Sequence, residues 1–222
     1  MATSVHRLQS PNQFTRQKAT LPNLQEIIME RSIIVGQKSP SNYVLAIAHA
    51  IGEGQQPCLV ARGNVTGKAI KVAMEAAKAD MVSPRPKHAM IGQDAHPGGG
   101  AIATLRIPLA SAETIDVPVK PTGAPLIVGQ KEPSTYALSI QKRIRDGASR
   151  LLVRARQEGP ICKALAAANL AATLGFVEAP QVAFIGEEAV EGGRLVPFVE
   201  IALTAIRKSV EGDTESVSLR QQ

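Results

Sequence analysis

A repeated motif constrains the fold of this 222-residue chain more than any other feature. The stretch IVGQKSPSNYVL begins at Ile34, and IVGQKEPSTYAL begins at Ile127. The two stretches share nine of twelve residues at a constant offset of 93. Self-similarity at a fixed period indicates that one structural unit occurs more than once. A chain of this length suffices for two domains of about 100 residues, so the repeat predicts two copies of one small unit.

Each copy shows the same succession of patterns. A short β-branched run predicts a strand, and the proline that follows (Pro40 or Pro133) predicts the first turn of a helix. Glycines end that helix. A second strand, an alanine-rich second helix and two strands with a glycine-rich hairpin come next. The order β-α-β-α-β-β predicts an α/β fold of the α+β two-layer type, with a sheet covered by helices on one face.

The repeat also predicts how the chain is divided. The segment between the copies carries prolines and threonines, which suits a linker. Both ends of the chain lack clear periodicity, apart from a short helix predicted at 23–32. The predicted divisions are an N-terminal extension (1–31), a first unit (32–109), a linker (110–124), a second unit (125–207) and a C-terminal tail (208–222).

Charge and composition narrow the classes of function. The net charge is +6 and the pI about 9.5, a balance that favours nucleic acid or another anionic surface as partner. Aromatic residues make up 3% of the chain and tryptophan is absent, which argues against modules that stack bases on aromatic platforms. Cys58 and Cys162 are predicted to be two reduced, buried thiols rather than a disulfide.

Targeting signals are sparse in the sequence. No apolar run approaches the roughly 20 residues that cross a bilayer, so we predict no membrane segment. The first 25 residues contain basic but no acidic side chains. That composition is typical of a transit peptide or of a disordered tail. We therefore expect a cytoplasmic or nucleoid-associated protein, with import into an organelle left open.

The repeated motif resembles a known family. IVGQKSPSNYVLAI, from Ile34, followed by ARGNVTGKAIKVA, from Ala61, is similar to the Alba family of small chromatin and RNA-binding proteins. The resemblance covers 32–109 and recurs more loosely at 125–205. The stretch LAATLGFVEAPQVAFIG, from Leu170, also resembles the stage V sporulation protein S of bacteria, an Alba relative. The resemblance implies two tandem Alba-like units.

The same resemblance implies a set of nucleic-acid contacts. The family's basic turn after the first strand, its helix start, the arginine of its second strand and the lysine of its second helix have counterparts in both copies. These counterparts are Lys38, Asn42, Tyr43, Arg62 and Lys68 in the first copy, and Lys131, Tyr136, Arg156 and Lys163 in the second.

Further candidates follow from the residues themselves. Lys38 and Lys131 precede helix N-termini, where free N–H groups and the helix dipole favour a phosphate; an ordinary solvated turn is the alternative. Lys71 lies one helical turn from Lys68 on the same face. Six basic residues fall within fifteen positions of the second copy, which also indicates phosphate contact. They are Lys142, Arg143, Arg145, Arg150, Arg154 and Arg156.

Acidic residues near the two hairpins argue against phosphate contact at the hairpin tips. The predicted tips carry Asp94 in the first copy and Glu187, Glu188 and Glu191 in the second. In DNA-packaging members of the family that this chain resembles, the hairpin arms are usually basic and clasp the duplex. Carboxylates at those tips would repel phosphate, which weakens the expectation of such a clasp and favours RNA or an assembly role.

These patterns predict a non-enzymatic nucleic-acid-binding protein that contacts the backbone of RNA or DNA with little sequence preference. A structural or scaffold subunit, with the same basic faces meeting protein, is the alternative. No catalytic or metal-binding constellation and no cofactor is predicted. Family members usually dimerise, so the alanine-rich second helices are expected to pair, either within the chain or as a self-association contact between chains.

Overall fold

The computed structural model describes residues 30–83, 86–95, 101–109 and 123–206. The C-terminal tail, most of the linker and residues 1–29 lie outside the described residues. The first strand begins at Glu30. The helix predicted at 23–32 is therefore wrong for Glu30–Ser32, where β-branched Ile33 and Ile34 continue a strand that pairs with a neighbour.

Within the residues that the structure describes, the first unit has four strands and two α-helices. A single 3-10 turn, Gly63–Val65, precedes the second helix. The elements are β1 (Glu30–Val35), α1 (Pro40–Gly52), β2 (Gln56–Arg62), α2 (Thr66–Lys78), β3 (Met90–Ala95) and β4 (Ala101–Pro108).

The second unit repeats this order. Both first helices start at a proline, whose fixed φ and missing N–H suit the first helical turn. The elements are β5 (Leu126–Val128), α3 (Pro133–Arg145), β6 (Arg150–Arg156), α4 (Glu158–Thr173), β7 (Gln181–Ala189) and β8 (Leu195–Thr204).

Each unit forms one four-stranded mixed sheet. The strand orders are β1-β2-β4-β3 and β5-β6-β8-β7. The first two strands of each unit run parallel because a helix connects them, and the other pairs are antiparallel. The prediction of a mixed α/β fold is confirmed.

The two faces of each sheet differ. Leu59 and Ala61 of β2 are completely buried in the shared hydrophobic core, together with residues of the helices. Their strand neighbours point to the opposite face, as the period of two requires. We call this second face the open face; it carries Ile34, which is 59% exposed, and the ion-paired Arg62.

The two units pack against each other through their second helices. Helix α2 contacts α4, β7 and β8, and α4 contacts α2, β4 and the 3-10 turn. The alanines at 164, 167, 168 and 171 of α4 are completely buried. Small side chains permit close approach of helix backbones, so the pairing that the alanine-rich sequences predict takes place within the chain.

Candidate nucleic-acid interface

The turns after β1 and β5 have the same internal structure. Lys38 and Lys131 are exposed in them, one residue before the cap of the following helix. The Tyr43 hydroxyl accepts a hydrogen bond of 2.7 Å from the Gly36 N–H. The Tyr136 hydroxyl accepts one of 2.7 Å from Gly129 N–H and a second of 3.3 Å from Lys131 N–H. These bonds hold both turns in one conformation.

The structure gives the tyrosines and Asn42 supporting positions. Tyr43 and Tyr136 are only 6% and 7% exposed, so their rings are not available to stack on bases. The Asn42 side-chain amide donates to Ser39 Oγ at 3.0 Å and braces the start of α1. The two tyrosines therefore shape the turns, whereas Asn42 braces the helix start and remains exposed.

Lys68 and Lys163 reach back from the second helices to the turns. Lys68 Nζ donates to Gly36 O at 3.0 Å and to Lys38 O at 3.4 Å. Lys163 Nζ donates to Gln130 O in the other unit. Each ammonium group therefore places a positive charge directly behind a turn. We call Lys38, Lys68, Lys131 and Lys163 the turn lysines.

Both turns lie at the same end of the α2–α4 pair. Gly67, next to Lys68, lies so close to Glu158 that a Cβ on Gly67 would come within 2.6 Å of Glu158 Cα. Glu158 begins α4, and Lys163 follows five residues later. The first turns of α2 and α4 therefore meet, and each is bonded through a lysine to its own β–α turn. The fold thus gathers the turn lysines, which are far apart in sequence, at one end of the molecule.

Arg62 and Arg156 end their strands at this same end of the sheets, but both are ion-paired. Arg62 Nε lies 2.5 Å from Asp94 Oδ2. Arg156 pairs with Glu188, which also accepts from Arg154 at 2.7 Å. Carboxylates therefore engage both guanidinium groups in this structure.

Arg154 makes two ion pairs and also contacts an aromatic ring. Its second ion pair, to Glu200, is 3.1 Å long, and its guanidinium carbon lies 4.9 Å from the centre of the Phe198 ring. The side chain is 26% exposed. These contacts indicate a structural position on the open face of the second sheet.

Most of the acidic residues predicted at the hairpin tips lie in strands instead. Asp94 is in β3, and Glu187 and Glu188 are in β7; only Glu191 lies in the tip of the second hairpin. The assignment failed because the strands run further than their hydrophobic stretches indicate. Glu188 lies on the same face of the sheet as Arg154 and Arg156 and pairs with both. The sequence patterns did not predict this ion-pairing role. Residues 96–100 of the first hairpin lie outside the described residues.

The basic residues predicted as a cluster in the second unit are separated in space. Arg143 donates to Ala124 O at 2.8 Å, beside the start of β5, and Lys142 is exposed near the C-terminus of α3. Arg150 and Arg156 stand at opposite ends of β6, about 20 Å apart at 3.3 Å per residue. Lys142 and Arg143 lie in the last turn of α3, whereas Lys131 precedes its first turn, so these two residues lie away from the turn lysines. Lys71 is half-buried on α2, one turn beyond Lys68.

Neither cysteine has the features of an activated nucleophile. Cys58 is buried, and burial raises the pKa of its thiol, as does the nearby Glu30 carboxylate. Burial also raises the pKa of the Cys162 thiol, although Lys163 opposes this effect. Both groups are therefore neutral thiols near pH 7, and the thiol is the unreactive form. In the described parts of the chain, no three metal-ligating side chains come together.

Comparison with protein-family models found no match to this chain, and a search of curated proteins found none either. No helix within the described ranges is long and apolar enough to span a bilayer.

Proposed function

We propose that this chain is a non-enzymatic nucleic-acid-binding protein, built from two Alba-like units, that contacts the phosphates of RNA or DNA. One observation carries the proposal. Two turns of equivalent structure, each with an exposed lysine ahead of a helix N-terminus, lie at the same end of the paired second helices. Such a protein belongs with its nucleic acid in the cytoplasm or on a nucleoid.

The geometry supports phosphate as the ligand. N-terminal N–H groups of α1 and α3 carry partial positive charge, and an anion next to them is stabilised by the helix dipole. Lys38 and Lys131 add full charges on flexible side chains. Lys68 and Lys163 add charge behind the turns. Because Tyr43 and Tyr136 hold the backbone in place, little conformational entropy is lost when a ligand binds.

The same geometry favours binding with little sequence preference. Lysine contacts phosphate as a point charge and reads no base. Both tyrosines are buried, and base-specific RNA modules rely on exposed aromatic rings. The recognised features are therefore the spacing of phosphates and the shape of the nucleic-acid backbone.

A salt titration tests this proposal. The full chain is titrated against labelled duplex DNA, single-stranded RNA and folded RNA between 50 and 200 mM salt. Neutralising four phosphates predicts a slope near −3.6 in a plot of log affinity against log salt for duplex DNA, about −0.9 per phosphate. This is a loss of about 150-fold over that range. No binding at 50 mM salt, or an affinity that stays flat to 200 mM, would contradict the proposal.

A scaffold subunit is the second candidate function, and exposed apolar residues favour it. Leu45 and Leu138 are equivalent in the repeat, and they are 68% and 62% exposed. Ile34 and Ile127 are a second equivalent pair, 59% and 61% exposed. Contiguous exposed apolar surface marks protein contacts, and single exposed apolar residues are common; the recurrence of both pairs in the two units is what favours a contact here. Replacing both leucines by serine leaves nucleic-acid affinity unchanged if the first proposal holds, because neither leucine lies in a turn with a lysine.

A further inference from the structure

A groove lies between the two units, on one side of the paired second helices. Its volume is about 260 Å³, and its walls come from β3 and β4 of the first unit and from the second half of α4. Asn169 of α4 joins the two walls, since its side-chain amide donates to Gly92 O of β3 at 3.1 Å. The turn lysines do not line this groove.

Small side chains keep the groove open. Ala101 and Ala103 of β4 and Ala166 of α4 form part of its wall. The sheets of the two units align at an offset of 94, and their second helices align at an offset of 95. The equivalents of Ala101 and Ala166 are therefore Leu195 and Lys71, which have longer side chains. The open groove thus depends on residues that the other repeat does not share.

The lining of the groove does not suit a charged ligand. None of the described residues that line it is charged, and a charge in a partly enclosed site requires a partner of opposite sign. A phosphate, a carboxylate or an ammonium group finds no such partner there. The alanines and Leu170 supply apolar contact instead. Walls of this kind accept a neutral ligand with apolar surface.

Two side-chain amides and a hydroxyl supply the polar contacts. Gln93 is exposed, and Asn169 is 7% exposed. The hydrogen bond to Gly92 O fixes the Asn169 amide, which still has a second N–H and a carbonyl oxygen to offer. Thr173 Oγ1 donates to Asn169 O at 3.0 Å and can still accept a hydrogen bond. Such amides pair with the hydrogen-bonding edges of nucleobases, as asparagine and glutamine do with adenine.

The size of the groove matches one ring system. Pockets for drug-sized ligands measure about 300–1,000 Å³, so a groove of about 260 Å³ holds a smaller group. A nucleobase is planar and uncharged, has two apolar faces and carries donors and acceptors along its edge. It reaches such a groove only when it is unpaired and outside the stack.

We infer that this groove holds one unpaired nucleobase of a single-stranded nucleic acid. The inference rests on the proposed function for the source of the base, because the turn lysines hold the strand that carries it. Asn169 lies eleven residues after Glu158, about 16 Å along α4 from the end where the turns meet. About five nucleotides span that distance at roughly 3.4 Å each. The groove adds one base contact to a surface whose other contacts are to phosphate.

Uncharged nucleosides test the groove separately from the turns. Adenosine, cytidine, guanosine and uridine lack the phosphate that the turn lysines bind. We expect the full chain to bind at least one of them in the millimolar range, with NMR shifts at the side-chain amides of Gln93 and Asn169. The Lys38→Glu, Lys131→Glu double variant should bind it equally well. The inference is overturned when none of the four nucleosides shifts these amides.

Variants that fill the groove supply the matched comparison. Ala101→Leu installs the side chain of the other repeat, and Ala166→Leu fills the groove from α4, so one variant remains when the other does not fold. Ala189→Leu makes the same change at the exposed end of β7, outside the groove, and is the control. We expect the groove variants to lose nucleoside binding and to bind single-stranded RNA about 5-fold more weakly or worse. Their affinity for duplex RNA should be unchanged.

The outcomes separate this inference from the proposed function. RNA affinity that is equal in the groove variants and in the Ala189→Leu control overturns the inference and leaves the turns in place. Equal losses for duplex and single-stranded RNA also overturn it, because a base site acts only on unpaired bases. Nucleoside binding that the groove variants abolish, in a chain that binds no RNA or DNA, supports a nucleobase site and overturns the proposed function.

Discussion

The two repeats are alike at their β–α turns and unlike where they touch each other. At the turns, nine of twelve residues are identical, and Tyr43 and Tyr136 accept the same backbone hydrogen bond. At the contact between the units, Gly67 stands where the other copy has Cys162, and Glu187 stands where the other copy has Gln93. The comparison shows that a duplicated chain can repeat one surface and make another complementary.

Under the proposed function, the two surfaces have different partners. A phosphate backbone presents similar groups at regular intervals, so two identical turns serve it well. A contact between two units requires that charge meets opposite charge and that a side chain meets space.

The largest expected effect on nucleic-acid affinity comes from changing the exposed lysines of both turns. Lys38→Glu with Lys131→Glu is expected to lower nucleic-acid affinity roughly 10- to 100-fold and to reduce the salt slope, because two phosphate contacts become repulsive. Either single change should cost about half of that free energy, since the two turns are equivalent. Fluorescence anisotropy at 100 mM salt measures the affinities, and circular dichroism checks that the fold is intact.

A matched control has the same change of net charge at the other end of the second unit. Lys142 and Arg145 are both exposed near the C-terminus of α3. The Lys142→Glu, Arg145→Glu double variant should weaken binding far less than the turn variant. Equal losses would show that net charge, and not the turns, determines affinity.

An intermediate effect tests the support of the turns. Tyr43→Phe and Tyr136→Phe each remove a hydroxyl that accepts a backbone N–H. Each should lower the free energy of unfolding by about 1 kcal/mol and the unfolding midpoint by roughly 2–4 °C. Tyr136→Phe should cost slightly more because its hydroxyl accepts two N–H groups. Thermal unfolding that distinguishes neither variant from the parent would mean that the turns are held by other contacts.

The smallest expected effect concerns the arginines of the open faces. Asp94→Asn should raise nucleic-acid affinity by a few fold, since its carboxylate competes with phosphate for Arg62 and so exposed a pair is worth about 1 kcal/mol or less. Glu188→Gln should act in the same direction through Arg156, although the Glu188 side chain is only 21% exposed. Glu178→Gln, with the same change in charge, is the control because Glu178 lies beyond the C-terminal end of α4. An affinity that rises no more than in this control would remove the paired arginines from the interface.

The fold was largely predictable, and the site was only partly so. Proline at helix starts, glycine at helix ends and β-branched runs predicted the order of the elements in both repeats. The strand ends were less predictable because Asp94 and Glu187 continue a hydrogen-bonded ladder that no hydrophobic pattern marks. The separation of the basic residues around Lys142 was not predictable: Arg150 and Arg156 are close in sequence, but an extended strand places them about 20 Å apart.

The sequence by itself determined the duplication, the mixed α/β class and the exposed lysines of the turns. These properties depend on local patterns, and local patterns act between residues a few positions apart. Only the tertiary structure decided that the two turns share one end of the molecule, that Arg62 and Arg156 are paired with acids, and that Gly67 and Glu158 touch. Those facts depend on contacts between residues that are up to about 100 positions apart, and such contacts follow from packing, which no local pattern records.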